Sequence, residues 1–184
     1  MKIQGDHILK TPREQLWSLL VDPGIMKRCT PGCEKLELIE ENTYEAVLNL
    51  GVGAVKGRYT GRLRLEDLQS PAHLKIVVEG KGAQGFVKGI GYLDLHEGNR
   101  TTTVVYSGDV QLGGPIASVG QRMLQGSAKV IAGQFFTALE AEVTAINKAH
   151  AMNQPVVAPK QGFFRNLLRY LWALLKQVWA RKGP

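Results

Sequence analysis

The side chains of this 184-residue chain that could do chemistry are few and scattered. Its two cysteines lie together in Cys29-Thr30-Pro31-Gly32-Cys33. Two thiols with no histidine nearby do not close a zinc site locally, because structural zinc takes four Cys or His donors. The pair could be redox-active, or Pro31-Gly32 could be a plain turn carrying two semi-buried thiols. The histidines His7, His73, His96 and His150 fall on different elements. His73 and His96 sit beside turns and share no evident strand register with a carboxylate, so all four read as solvated surface side chains. No Gly-x-Ser-x-Gly elbow and no His-Glu-x-x-His occur. The run Gly51-Val-Gly-Ala-Val-Lys-Gly57 looks like a dinucleotide fingerprint but fails it. Its third glycine comes one residue late and a strand follows rather than a helix, so a hairpin turn explains it better. Tyr59 and Tyr106 could hydrogen-bond a carbonyl ligand or pack in a core. Nothing assembles a nucleophile, a base and an oxyanion hole. The residues argue for binding rather than catalysis, with no catalytic residue and no metal ligand assigned.

The elements that must position these groups follow from periodicity. Met1–Lys10 alternates loosely and reads as a first strand. Thr11-Pro12-Arg13-Glu14 predicts a helix start with Thr11 as N-cap and Glu14 at the capping-box position. Leu16, Trp17, Leu19 and Leu20 form the apolar face, Asp22-Pro23-Gly24 breaks the helix, and a second short helix runs to about Cys29. From Glu34 to Leu112 the period is two. Tyr44, Ala46, Leu48 and Leu50 face one way, as do Val55, Gly57, Tyr59, Gly61, Leu63 and Leu65. Leu74, Ile76 and Val78, then Val87, Gly89, Gly91, Leu93 and Leu95, then Thr102, Val104, Tyr106, Gly108 and Val110 continue the pattern. Turn residues separate these runs, which predicts a meander of about six antiparallel strands with one buried face. From Pro115 to Lys148 no other proline occurs and the apolar spacing is helical, for a length of about 51 Å. Residues 151–162 hold Pro155 and Pro159 and read as an extended linker.

The face assigned inward carries Gly57, Gly61, Gly89, Gly91 and Gly108 among its Leu, Val and Tyr residues. Glycine leaves no side chain to fill space. The glycines therefore mean sharp bends and bulges, or an interior left open for a ligand, and a curved sheet around one helix supplies both.

Charge divides the chain. Of 23 basic and 16 acidic residues, seven basic and no acidic ones lie in 143–184, so residues 1–142 hold 16 of each and are neutral in sum. The excess sits on a tail rich in Leu, Phe and Trp, which suits anionic lipid rather than nucleic acid. Within it Phe163, Phe164, Leu167, Leu168, Leu171, Trp172, Leu175 and Trp179 recur at helical spacing, opposite Arg165, Arg169 and Lys176. That composition belongs to an amphipathic helix lying in a membrane interface over 163–182. A transmembrane span is the rival. The apolar run is about 27 Å long, barely enough to cross, and it carries three cations, each costing roughly 2.5–3.5 kcal/mol at a helix centre. The first residues lack a long apolar segment, so no secretory signal is expected and reduced cysteines in the cytosol follow.

The order strand, two short helices, meander, long helix resembles the START-like helix-grip fold of the SRPBCC superfamily. Specific stretches are similar to the family of CoxG, a carbon monoxide dehydrogenase subunit: Asp22-Pro23 leading to Lys27-Arg28-Cys29-Thr30-Pro31-Gly32-Cys33, then Val55-Lys56-Gly57-Arg58-Tyr59, then Gly120-Gln121-Arg122 and Gln134-Phe135-Phe136. The likeness covers about residues 1–148 and implies an α+β domain whose curved antiparallel sheet wraps a long C-terminal helix around a hydrophobic cavity. It further implies association with a CO dehydrogenase-type molybdenum hydroxylase and a part in attaching it to the membrane. The family carries no established catalytic residues, so none are transferred.

These readings combine into one expectation. Residues 1–150 form the cavity domain, and 163–182 hold it peripherally on anionic lipid at the cytoplasmic face of the inner membrane. The cavity takes a hydrophobic small molecule, with an isoprenoid quinone (menaquinone or ubiquinone) as the expected ligand and no covalent cofactor. Expected lining residues are Leu48, Tyr59, Leu63, Val87, Val104, Tyr106, Val119 and Met123. A recruitment adaptor without ligand, and a cyclase- or hydrolase-like enzyme of the same fold, are the alternatives.

Overall fold

The computed structural model describes the backbone of residues 1–151 and the side chains of residues 1–149. The linker expected beyond Ala151 and the tail helix expected over 163–182 lie outside the described residues. The period-two runs form β1 Lys2–Leu9, β2 Cys33–Glu40, β3 Thr43–Leu50, β4 Gly57–Gln69, β5 His73–Gly82, β6 Gly85–Glu97 and β7 Thr102–Gly113. They make one antiparallel sheet in the order β1-β7-β6-β5-β4-β3-β2. The six-strand meander is as expected, and β1 adds to it with Leu9 opposite Thr102.

Helices α1 Arg13–Leu20 and α2 Pro23–Cys29 connect the two edge strands β1 and β2. The Asp22 carboxylate accepts from the Ile25 backbone N–H at 2.8 Å with Pro23 at the first helical position, a capped start for α2. The cap expected on α1 does not form. Pro12 occupies the N-cap position, and Thr11 Oγ1 instead donates to Gln15 Oε1 at 2.8 Å. Thr11 is fully buried, and its carbonyl accepts from Thr102 Oγ1 at 2.8 Å. Anchoring to β7 outweighs a local cap.

The long helix starts later than its proline suggests. Pro115–Val119 is a 3-10 turn, and Gly120 at φ +96° breaks the chain before α3 Gln121–Ala151. Only glycine takes that backbone freely. A second 3-10 turn, Gly53–Val55, replaces the strand start expected at Val55.

Packing is uneven along the strands. Leu9, Leu65, Leu74, Leu93, Leu95 and Val104 of the sheet meet Leu16, Leu19 and Leu20 of α1 and Phe136, Leu139 and Val143 of α3 in the main core. A smaller cluster of Tyr59, Ile116 and Leu124 lies at the other strand ends, beside the two 3-10 turns. Glu142, buried on α3, accepts from Arg28 Nε at 2.7 Å and Nη2 at 3.0 Å, a bidentate pair that joins α3 to α2.

Candidate functional site

A cavity of about 220 Å³ opens on the inner face of the sheet, with no α3 residue in its lining. Its floor is the inner face of β3, β4 and β5, supplied by Ala46, Leu48, Leu50, Tyr59, Gly61, Leu63, Val78 and Gly80. Met26 and Thr30 of the α2 region, four residues apart and so on one helix face, form one wall with Cys33 and Leu36 of β2. Val87, Leu112, and Val55 and Ile116 from the two 3-10 turns complete the lining. Arg62 and Glu79 border it through strand backbone, since both residues are exposed on the outer face.

Polar groups in this lining are sparse. The Tyr59 side chain is 6% exposed, and its hydroxyl has no hydrogen-bond partner. Burial pushes the Tyr59 phenol up from its ordinary value, so it stands as a neutral donor. Cys33 Sγ contacts the Lys35 carbonyl at 3.3 Å, and burial raises this thiol too. Cys29 lies in the main core, with its thiol pushed up to about 11 by burial and then by the neighbouring Glu142. Both cysteines are free thiols held toward their unreactive form, which is the plain-turn reading of Cys29–Cys33.

Of the eight expected lining residues, the structure brings Leu48, Tyr59, Leu63 and Val87 together at the cavity and places the other four elsewhere. Val104 is fully buried in the main core. Tyr106 stacks against Phe136 with ring centroids 5.3 Å apart and lies over Gly5, so it packs rather than faces a ligand. Both are on the right face but under α3, which alternation alone does not reveal. Met123 is 61% exposed, because a helix beginning at Gln121 turns Leu124 and Ser127 inward instead. Val119 ends the 3-10 turn, and Ile116 is the residue of that turn that reaches the cavity. Strand parity already placed Ala46, Leu50 and Val78 beside Leu48. Met26 and Thr30 carry only their four-residue spacing as a signal.

The glycines divide between the two readings. A Cβ at Gly61 would collide with the Glu79 carbonyl, so there the strands approach closely at a bend. At Gly91 the nearest atom, the Ser107 carbonyl oxygen, would be 3.7 Å away, an ordinary contact, so no close approach demands glycine there.

Two histidines differ from expectation. His73 lies opposite Asp94 in the β5–β6 register, with Nδ1 2.7 Å from Oδ1, and His7 faces inward and stacks on Phe136 at 4.9 Å. His96 is exposed, as expected, and the His150 side chain lies outside the described residues. Among the described residues no group of His, Cys, Asp or Glu is placed to hold a metal ion.

The family model for CoxG, a carbon monoxide dehydrogenase subunit, matches residues 5–144. The chain belongs to the CoxG family. A conserved protein from Geobacillus kaustophilus, known by crystal structure, is 39% identical to this CoxG-family chain with a TM-score of 0.76; the match covers 78% of this chain and 95% of that one. A START superfamily protein from Mycobacterium smegmatis shares 12% identity and a TM-score of 0.63 over 79% of this chain and 98% of its own. That second likeness shows the fold, a START-like helix-grip domain. No curated protein matches the chain. The matched stretch ends within α3, so the CoxG likeness covers the cavity domain and not residues 152–184.

Proposed function

We propose that this chain is a membrane-associated accessory protein of a CO dehydrogenase-type molybdenum hydroxylase, and that its cavity takes the ring of an isoprenoid quinone, menaquinone or ubiquinone. The family name supports the partner. Tyr59 supports the ligand. A buried hydroxyl without a partner costs about 1–3 kcal/mol, and here it belongs to a side chain that lines an otherwise apolar cavity. A flat apolar ring bearing a carbonyl oxygen satisfies both requirements, with the phenol donating to that oxygen. Such a carrier has a clear use, since an oxidoreductase that gathers electrons in the cytosol must deliver them to a pool dissolved in lipid. The amphipathic composition of 163–182, with its cations, supports peripheral attachment to anionic lipid at the cytoplasmic membrane face.

Size limits what the cavity encloses. About 220 Å³ is below the roughly 300–1,000 Å³ of sites that bury a drug-sized ligand. That volume suits a ring better than a polyprenyl chain. This volume is also what favours the second reading, a recruitment adaptor whose cavity carries nothing. An enzymatic reading gains less, because the thiol and the phenol in the lining are both shifted toward their neutral forms.

Solvent extraction of protein purified from membrane-containing cells, followed by mass spectrometry, tests the proposal. A stoichiometric quinone is expected. Protein that carries no quinone or other lipid after expression alongside membranes would leave the adaptor reading standing.

A further inference from the structure

The neutrality of residues 1–142 conceals a segregation that the fold creates. Three segments lie at the end of the sheet where the cavity is: 51–58 and 80–87, which are turns with the strand ends flanking them, and 110–130, which runs from the end of β7 into the first turns of α3, where Ser127 Oγ accepts from the Ala54 N–H. These segments carry Lys56, Arg58, Lys81, Arg122 and Lys129 and no Asp or Glu. Indeed no acidic residue occurs between Asp109 and Glu140. The connections gathered at the opposite end, 10–12, 40–42, 66–72 and 97–101, carry Glu40, Glu41, Glu66, Asp67 and Glu97 with Lys10 and Arg100, and there Glu66 pairs with Lys75 at 2.8 Å and Glu97 with Arg13 at 3.3 Å.

The cations at the cavity end are available. Lys56, Lys81, Arg122 and Lys129 are exposed, and among the described residues no carboxylate is within ion-pair distance of them. The nearest carboxylates are already engaged: Glu34 with Arg58 at 3.0 Å, Glu79 with Lys88 at 3.3 Å, and Asp109 with the Met1 amine at 3.1 Å. Beside these cations stand two large exposed apolar side chains, Phe86 at 46% and Met123 at 61%. Met123 follows Arg122 in the first turn of α3, and Phe86 tops β6 at the same sheet end.

We propose that this end of the folded domain is itself a docking surface for anionic lipid, so that the domain sits with its cavity end toward the bilayer and its acidic turns away from it. Each cation near an anionic surface contributes about a fivefold gain in partitioning, and exposed Phe and Met add apolar insertion. At the other end the groups outside ion pairs are Glu40, Glu41 and Asp67 against Lys10 and Arg100, so that end offers the same surface no net attraction, which makes the orientation one-sided. Exposed Phe86 and Met123 set among unpaired cations match a lipid interface, which takes cations at its headgroups and apolar side chains beneath them, whereas a protein partner would have to present an acidic patch with apolar pockets. The inference rests on the cavity reading only for its consequence, which is that a ligand held in the cavity faces its source.

The test compares the two turns that flank strand β6 in the full chain. A polarity-sensitive dye is attached through Ala83→Cys, in the turn before β6, or through Asn99→Cys, in the turn after it, both in a Cys33→Ala background. Cys29 is 2% exposed and its thiol is held neutral, so it takes up no dye. With vesicles of phosphatidylcholine and phosphatidylglycerol in equal parts, the dye at position 83 is expected to shift to the blue and the dye at 99 to stay at its aqueous wavelength. Adding Lys81→Glu, Arg122→Glu and Lys129→Glu is expected to abolish the shift at 83. Equal responses at both positions, no response at 83, or a response at 83 that survives the charge reversals overturns the proposal. The mass-spectrometric result is independent of all three. Protein that carries quinone yet responds equally at both turns refutes the orientation and leaves the carrier reading intact.

Discussion

Strand β5 puts Leu74 and Val78 on one face, and they meet opposite surroundings. Leu74 is 1% exposed in a core shared with α1, α2 and the later turns of α3, whereas Val78 borders open space. The same division runs through β3, where Tyr44 is buried in the core and Leu48 lines the cavity. Composition separates the halves only in part: Leu, Val and Tyr serve both, with Ala46, Gly61 and Gly80 added on the cavity side. What differs is the cover. Over one half lie two helices and the apolar stripe Phe136, Leu139 and Val143; over the other lie two 3-10 turns, the edge of α2 and Leu124 from the first turn of α3. Close packing and open space thus fall to different halves of one continuous sheet.

Truncation should expose that division most strongly. Leu74→Ala removes atoms packed on every side and is expected to cost about 2–5 kcal/mol by urea denaturation, in the usual range for a buried leucine. Leu48→Ala, on the same face, should cost about 1 kcal/mol or less, because its side chain already lacks neighbours on the cavity side. Equal losses at the two sites would mean that the cavity half is as tightly packed as the core half, and the comparison would fail.

The two thiols probe the same division through alkali. Cys29 in the core has its pKa pushed up to about 11, and Cys33 beside the cavity is raised by burial too but is half-exposed. In the unfolded chain a thiol ionises near its ordinary value of about 8.5. Above that pH the unfolded state binds fewer protons than the folded one, so stability falls as pH rises. The Cys29 contribution is fully present below about pH 8.5 and is lost by about pH 11, for a total of roughly 3 kcal/mol. Cys29→Ala should flatten the stability profile between those values, whereas Cys33→Ala should change its slope little. A profile with the same slope in both variants would show that Cys29 is as solvated as Cys33.

Much of the fold is legible in the sequence. Alternation in β3 to β7 fixes the face of every inward residue, and the fold class follows from the element order. The functional half is less legible, for a physical reason. Parity says which face Val104 and Tyr106 occupy, but only the position of α3 decides that they are covered while Leu48 is not. The phase of α3 is itself hidden. Pro115 looks like its first residue, and the break at Gly120 shifts the helical register so that Leu124 faces in and Met123 faces out. His73 and Asp94 stand in register only because β5 and β6 are joined by a two-residue turn at Ala83-Gln84, which fixes every pairing along both strands. The charge segregation needs topology as well, since its five cations come from three connections far apart in sequence.

The smallest effect expected is at Tyr59, and it is the one that separates the halves by function. In a core, Tyr→Phe deletes a hydrogen bond and costs stability. Here the hydroxyl is buried without a partner, so Tyr59→Phe removes an unsatisfied group and should raise the stability of ligand-free protein by about 1 kcal/mol. Ligand occupancy should move the other way, with less quinone extracted per mole of the variant than of the parent, because the ring loses its one donor. The opposed signs matter. A variant both more stable and less loaded identifies Tyr59 as a group whose cost to the empty fold is recovered only when something binds. A variant less stable by about 1 kcal/mol would show that the hydroxyl is already satisfied in solution, and the cavity would then lack a polar anchor. Tyr106→Phe is the control within the same sheet face, since its ring packs on Phe136 and over Gly5 away from the cavity. Its occupancy should equal that of the parent whatever its stability, so a loss of ligand at both tyrosines would place the ligand under α3 and not beneath the 3-10 turns.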